Sequence, residues 1–154
     1  MLWINDLLRE VWRDDLILTR SIPATDDPHT NRFFADGLGE LSNPKDIPPS
    51  FVAVEDAGDV VATKASRRLE ERKHGFVVRI ATPNKALTRL LVQTYLGHLE
   101  RRLSGSVTDQ GVVQCWTLES QREDTVGGLR LWRGQITVTV RKRRSWLAPD
   151  VVHA

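Results

Sequence analysis

The sequence predicts an α+β domain: an antiparallel or mixed β-sheet flanked by an N-terminal amphipathic helix and one long central helix. Three observations predict it. Apolar residues from Trp3 to Trp12 recur at helical spacing. Phe76 to Ile80 reads as a buried strand that runs straight into a helical pattern ending near Leu103. Ile136, Val138 and Val140 alternate with Thr137, Thr139 and Arg141, the period-two signature of a strand with one buried face.

In chain order, Trp3, Ile4, Leu7, Leu8, Val11 and Trp12 form one stripe, with Asn5, Asp6, Arg9, Glu10 and Arg13 opposite. This is an amphipathic helix of about four turns ending near Asp14-Asp15. Residues 16–19 either extend it or begin a short strand. Trp3 and Trp12 bring large contact area, suited to a core or to a subunit interface. From about 20 to 50 the chain reads as a long acidic loop or arm, interrupted by Pro23, Pro28, Gly37, Gly39, Pro44 and Pro48-Pro49. Phe33 and Phe34 are its local apolar anchors, and an arm of this length is expected to dock on a neighbour.

Phe51 to Glu55 reads as a strand closed by a turn at 56–59, and residues 60–75 as a basic hairpin. The hairpin carries Lys64, Arg67, Arg68, Arg72 and Lys73. Gly75 precedes the central strand. Thr82 is the expected N-cap of the long helix and Pro83 its first residue. Leu87, Leu90, Leu91, Tyr95 and His98 make one stripe, widened by Leu96, Leu99 and Leu103. A helix apolar on more than one side calls for a sheet on one face and a second helix or subunit on the other. Gly105 is its stop. Residues 111–119 and 129–141 close the sheet, with Gly134 a candidate bulge. Arg141, Lys142, Arg143 and Arg144, followed by Trp146, end the fold.

The 154 residues make one domain with an ordinary share of apolar and charged groups, 40% and 27%. No run is long and apolar enough to span a bilayer. The N-terminus, Met1-Leu2-Trp3-Ile4-Asn5-Asp6, has neither the basic start nor the cleavage site of a signal peptide, and none is expected. A single cysteine, Cys115, excludes an internal disulfide and points to folding in a reducing compartment. Net charge is +2, unevenly divided. Residues 1–60 hold five Lys/Arg against twelve Asp/Glu, a balance of −7; the remainder hold seventeen against eight, a balance of +9. Either the basic part meets a polyanion, or the two parts meet across a repeated subunit contact, or folding intermixes them.

Chemistry-bearing patterns are sparse. His29, His74, His98 and His153 lack metal-ligand spacing, Cys115 lacks an activating neighbour, and no glycine-rich phosphate loop occurs. No catalytic, cofactor or metal site is expected. Asp59 with Glu71-Arg72-Lys73 imitates the carboxylate–lysine set of metal-dependent nucleases, but on a hydrophilic segment rather than buried strands. Arg141 to Arg144 are candidate phosphate contacts, the basis of a second reading as a small basic nucleic-acid-binding domain.

The Ile4/Leu7/Leu8/Val11 stripe, the strand 76–80 flowing into the 87–103 helix, and the closing run from Leu131 to Val140 together resemble the tail terminator (tail completion) proteins of long-tailed bacteriophages. The likeness is of pattern and size over most of the chain, and neck and connector proteins share similar designs. The resemblance implies a structural virion protein without enzymatic activity. Six copies form a ring that caps the tail tube, stops its polymerisation and offers a docking surface to the head and neck proteins. It further implies contact without sequence readout to DNA in the bore, no membrane, and residence in the host cytoplasm before the virion. Subunit or partner contacts would fall to Trp3, Trp12, Phe33, Phe34, Arg67, Arg68, Arg72 and Lys73.

Overall fold

The computed structural model describes residues 3–38, 48–60, 64–66, 69–105, 107–108, 111–126 and 129–145. The elements are α1 (Ile4–Arg13), α2 (Leu16–Ser21), β1 (Phe33–Phe34), β2 (Phe51–Val60), β3 (Lys64–Ser66), β4 (Leu69–Thr82), α3 (Lys85–Arg102), β5 (Val107–Thr108), β6 (Gly111–Val126) and β7 (Leu129–Ser145). The fold is α+β. Its mixed sheet runs β1-β2-β4-β7-β6-β5, with β3 also on β4; β1 lies parallel to β2 and the other pairs are antiparallel.

Period-two burial decides how this sheet is covered. Val52 and Val54 of β2, Phe76, Val78 and Ile80 of β4, and Ile136, Val138 and Val140 of β7 lie in register on one face. They join Ile4, Leu8, Val11, Trp12, Leu18, Leu91, Val92, Tyr95 and Leu99 in a single core. All three helices therefore pack on one side. On the other side a small second core of Phe34, Phe51, Ala53, Ala81 and Leu131, with Leu38 against it, occupies one end of the sheet.

The second apolar side of α3 is covered within the chain. Tyr95 is fully buried against α1, where its hydroxyl donates to the Leu8 carbonyl at 2.7 Å and Trp12 meets its ring edge-on at 4.9 Å. Among the large apolar residues of α3, Leu90 is left exposed. Residues 16–19, which the sequence left between helix and strand, form α2. Asp15 caps it by accepting from the amides of Ile17 and Leu18 at 2.7 and 3.0 Å.

Several expectations are corrected here. The N-cap of α3 is Asn84, whose side chain accepts from the Leu87 amide at 3.0 Å, and the helix begins at Lys85 rather than Pro83. Thr82 is the last residue of β4 and is buried. Its hydroxyl pairs with that of Thr88 at 2.7 Å, and Thr88 reaches the Trp132 carbonyl at 3.1 Å, so both buried hydroxyls are satisfied. The expected turn at 56–59 lies inside β2, where the register shifts between Asp56 and Gly58 and Gly58 takes a positive φ. Gly134 is no bulge: pairing to β4 continues through it, Ile80 standing opposite. The glycine is needed because α3 lies directly over it, and a Cβ there would fall inside Val92. Residues 142–145 continue β7 instead of forming a tail.

The first part of the 20–50 segment is bound to its own domain. Trp12 Nε1 donates to the Ile22 carbonyl at 2.8 Å, the Arg32 amide to Pro23 at 2.8 Å, and the Val52 amide to Arg32 at 3.0 Å. Phe33 and Phe34 are buried, as is Trp12, so these three serve the core of a single copy and not an outer contact. Their size suits either role, and inside the core the one polar atom among them, Trp12 Nε1, has its acceptor in the Ile22 carbonyl. The remainder of that arm, 39–47, lies outside the described residues.

Candidate functional site

The strand register brings together two basic runs separated by about seventy residues of sequence. Lys73 stands opposite Arg141, Arg72 opposite Lys142, Glu71 opposite Arg143 and Glu70 opposite Arg144. These neighbours lie about 4.8 Å apart across the sheet. The two strands thus place Arg72, Lys73, Arg141, Lys142, Arg143 and Arg144 against two carboxylate residues at one end of the sheet. Local sequence alone does not show this, because it depends on which strands pair. Arg67 and Arg68, expected to belong to the same surface, lie outside the described residues, as do Trp146 and His153. Trp3 is 58% exposed at the start of α1, on the helix layer and far along the chain from the basic strands.

Five carboxylates of the acidic N-terminal portion meet partners within the chain. Asp26 meets Arg9 and Arg13, each at 3.4 Å; Asp14 meets Arg102 at 2.8 Å; Asp15 meets His98 at 2.5 Å. Glu55 is paired with Arg79 and Asp56 with His74. Burial by itself would raise the Asp15 carboxyl, but the Leu18 amide, the His98 ring and the Ile17 amide outweigh it and hold the group below its ordinary value of 3.8. His98 is thus a satisfied partner on a helix face, as its position in the α3 stripe suggests.

An open cleft of about 470 Å³ lies along β2 and the 36–38 segment, lined by Asn5, Asp36, Leu38, Val54, Glu55 and Asp56. Two of its three carboxylates are already paired, Glu55 with Arg79 and Asp56 with the His74 ring. No group of three His, Cys, Asp or Glu among the described residues is placed to hold a metal ion. The nuclease-like set is also separated by the register. Asp59 stands opposite His74, three residues along β4 from Glu71, a strand rise of about 10 Å. Direct carboxylate ligation of one cation requires ligand oxygens within about 2.0–2.6 Å of it.

No family model matches this chain, and no curated protein matches it in sequence. No helix among the described residues is long and apolar enough to cross a membrane.

Proposed function

We propose that this chain is a structural virion protein: a tail terminator whose six copies close into a ring on the end of a phage tail tube. The observation that carries this reading is apolar surface left on the two N-terminal helices. Trp3 is 58% exposed, Leu16 71% and Ile17 57%, beside a core in which Ile4, Leu8, Trp12 and Leu18 are buried. Side chains of this size bury with a gain of roughly 1.5–3 kcal/mol each, and a heterologous contact repeated around a closed circle would cover them in every copy. The order of elements supports it too: N-terminal helices, strands, a strand turning directly into the long helix, and two long closing strands. In this reading one face of the ring fits the last tube subunits, the opposite face receives neck or connector proteins, and DNA crosses the bore without base readout. Its mechanism is binding alone, with no cofactor.

Native mass spectrometry and light scattering of purified protein, alone and with tail tube, test the ring. A hexamer that dissociates on replacing Trp3, Leu16 and Ile17 by serine, with an unchanged far-UV spectrum, is the expected result. A monomer that ignores both its own copies and the tube would overturn it. A second reading, a small basic nucleic-acid-binding domain, is favoured by one specific observation, the cross-strand meeting of Arg72 and Lys73 with Arg141 and Lys142.

A further inference from the structure

The large apolar side chains exposed among the described residues are Trp3, Leu16, Ile17 and Leu90, and all four lie on the helix layer. They fall into two groups. α1 and α3 run side by side in the same direction, since the Tyr95 hydroxyl reaches the Leu8 carbonyl and Arg102 reaches Asp14 further along both helices. Trp3, just before α1, and Leu90, in the second turn of α3, therefore sit at one end of the helix pair. Leu16 and Ile17, in the first turn of α2, follow the other end, where His98 and Arg102 hold Asp15 and Asp14. The length of α1, about 15 Å, separates the groups. Each group has beside it one exposed charge that is unused within the chain. Asp6 is three residues from Trp3, and Arg20 is four from Leu16 and three from Ile17, spacings that make neighbours on a helix surface. Neither side chain makes a hydrogen bond or ion pair with another described residue, whereas Asp14, Asp15 and Asp26 on the same layer do. Arg89, beside Leu90 in sequence, lies by helical spacing on the flank of α3 opposite His98 and so away from α1.

We propose that copies of this chain meet head to tail through these two groups: Trp3 and Leu90 of one copy pack on Leu16 and Ile17 of the next, and Asp6 pairs with Arg20 across the contact. This rests on the ring reading above and supplies the two halves of its contact. A ring closes only where each copy offers its neighbours two different surfaces, because a single self-complementary surface stops at a dimer. Two separate apolar groups flanked by opposite charges meet that requirement. Like charges oppose either group pairing with itself, and opposite charges favour the mixed contact. The ion pair thus sets which surfaces meet, while the four apolar side chains supply most of the burial.

Charge exchange tests it on the full chain, read by native mass spectrometry and sedimentation velocity. Against a hexameric unaltered protein, D6R and R20D should each raise the concentration needed for half assembly by about tenfold, because each sets like charges across every contact. D6R/R20D, which restores opposite charges in the reverse sense, should assemble nearly as well as the unaltered protein. A role in folding alone would leave the double variant no better than the singles. Far-UV spectra and thermal melts are run on every variant. Should D6R or R20D not fold, W3S/L90S and L16S/I17S replace them. Neither should form a ring alone, and mixed in equal amounts they should give a dimer that grows no further, held by the one contact whose halves both survive. A hexamer indifferent to the single exchanges or not recovered in the double one, or serine variants that stay apart when mixed, would overturn this contact and leave the ring to another surface. An unaltered protein that stays monomeric would overturn the ring reading itself, and this contact with it.

Discussion

Gly134 and Asp15 are the two positions where a single atom matters most. At Gly134 the close approach of α3 to β7 leaves no room for a Cβ beside Val92. Gly134→Ala should therefore destabilise the fold by about 1–3 kcal/mol through overpacking. Trimming the neighbour should relieve this: introduced into Val92→Ala, the same change should cost clearly less. Urea unfolding of the four proteins in that cycle measures the coupling, and simple additivity would show that α3 does not sit where described.

Asp15 caps α2 and meets His98, and its carboxyl is held below 3.8 in the folded state. A depressed carboxyl contributes stability that is present above the unfolded-state value and is lost as pH falls through the folded-state value. Unfolding free energy should accordingly fall on acidification below about pH 4. Asp15→Asn, which keeps an accepting oxygen but no charge, should be less stable near neutrality and flatter over the same window. Denaturation at a series of pH values checks this, and parallel profiles for the two proteins would remove Asp15 from the account.

Among elements, α3 is held by its first turn and by its contact with α1. Asn84→Ala removes the side-chain acceptor of the Leu87 amide and should cost about 1 kcal/mol. Thr82 was the residue expected from sequence in that role, yet Thr82→Ala should act differently. Its loss would leave the Thr88 hydroxyl with a weaker set of partners in the buried strand end, disturbing packing against β7 rather than the helix start. Tyr95→Phe deletes the buried hydrogen bond to the Leu8 carbonyl and should cost about 1 kcal/mol or somewhat more, since a buried acceptor is left behind. Thermal melts of these variants separate the two joints of the helix. The exposed pairs of Asp26 with Arg9 and Arg13 should contribute little, because both long side chains must be ordered in high dielectric.

At the scale of the molecule, stability is centred where the helix layer meets β4 and β7. Phe76, Val78 and Ile80 and their partners Val138 and Ile136 are buried at the middle of the sheet, with strands on both sides and helices above. Their amides should exchange most slowly, close to the rate set by global unfolding, and those of the six-residue α2 much faster. Hydrogen exchange read by mass spectrometry would show it, and stronger protection of α2 than of Phe76–Ile80 would contradict this layering. The one-sided arrangement also leaves three large apolar side chains, Trp3, Leu16 and Ile17, at the surface of the helix layer, where the ring contact is proposed.

Sequence by itself determined what depends on neighbours along the chain. The alternation of Ile136, Val138 and Val140, the stripe from Ile4 to Trp12 and the passage from Phe76–Ile80 into a helix are local periodicities, and each follows from how side chains project from a strand or helix. Only the tertiary structure decided which apolar residues face inward and which charges meet. Trp12 suited a core or an interface, and Phe33 and Phe34 were expected on an arm docking on a neighbour; packing buries all three within one copy. Lys73 and Arg141 became adjacent through strand register, and Gly134 was needed because α3 crosses it. Both are long-range consequences of pairing and layer contact, for which a single strand or helix carries no local signal.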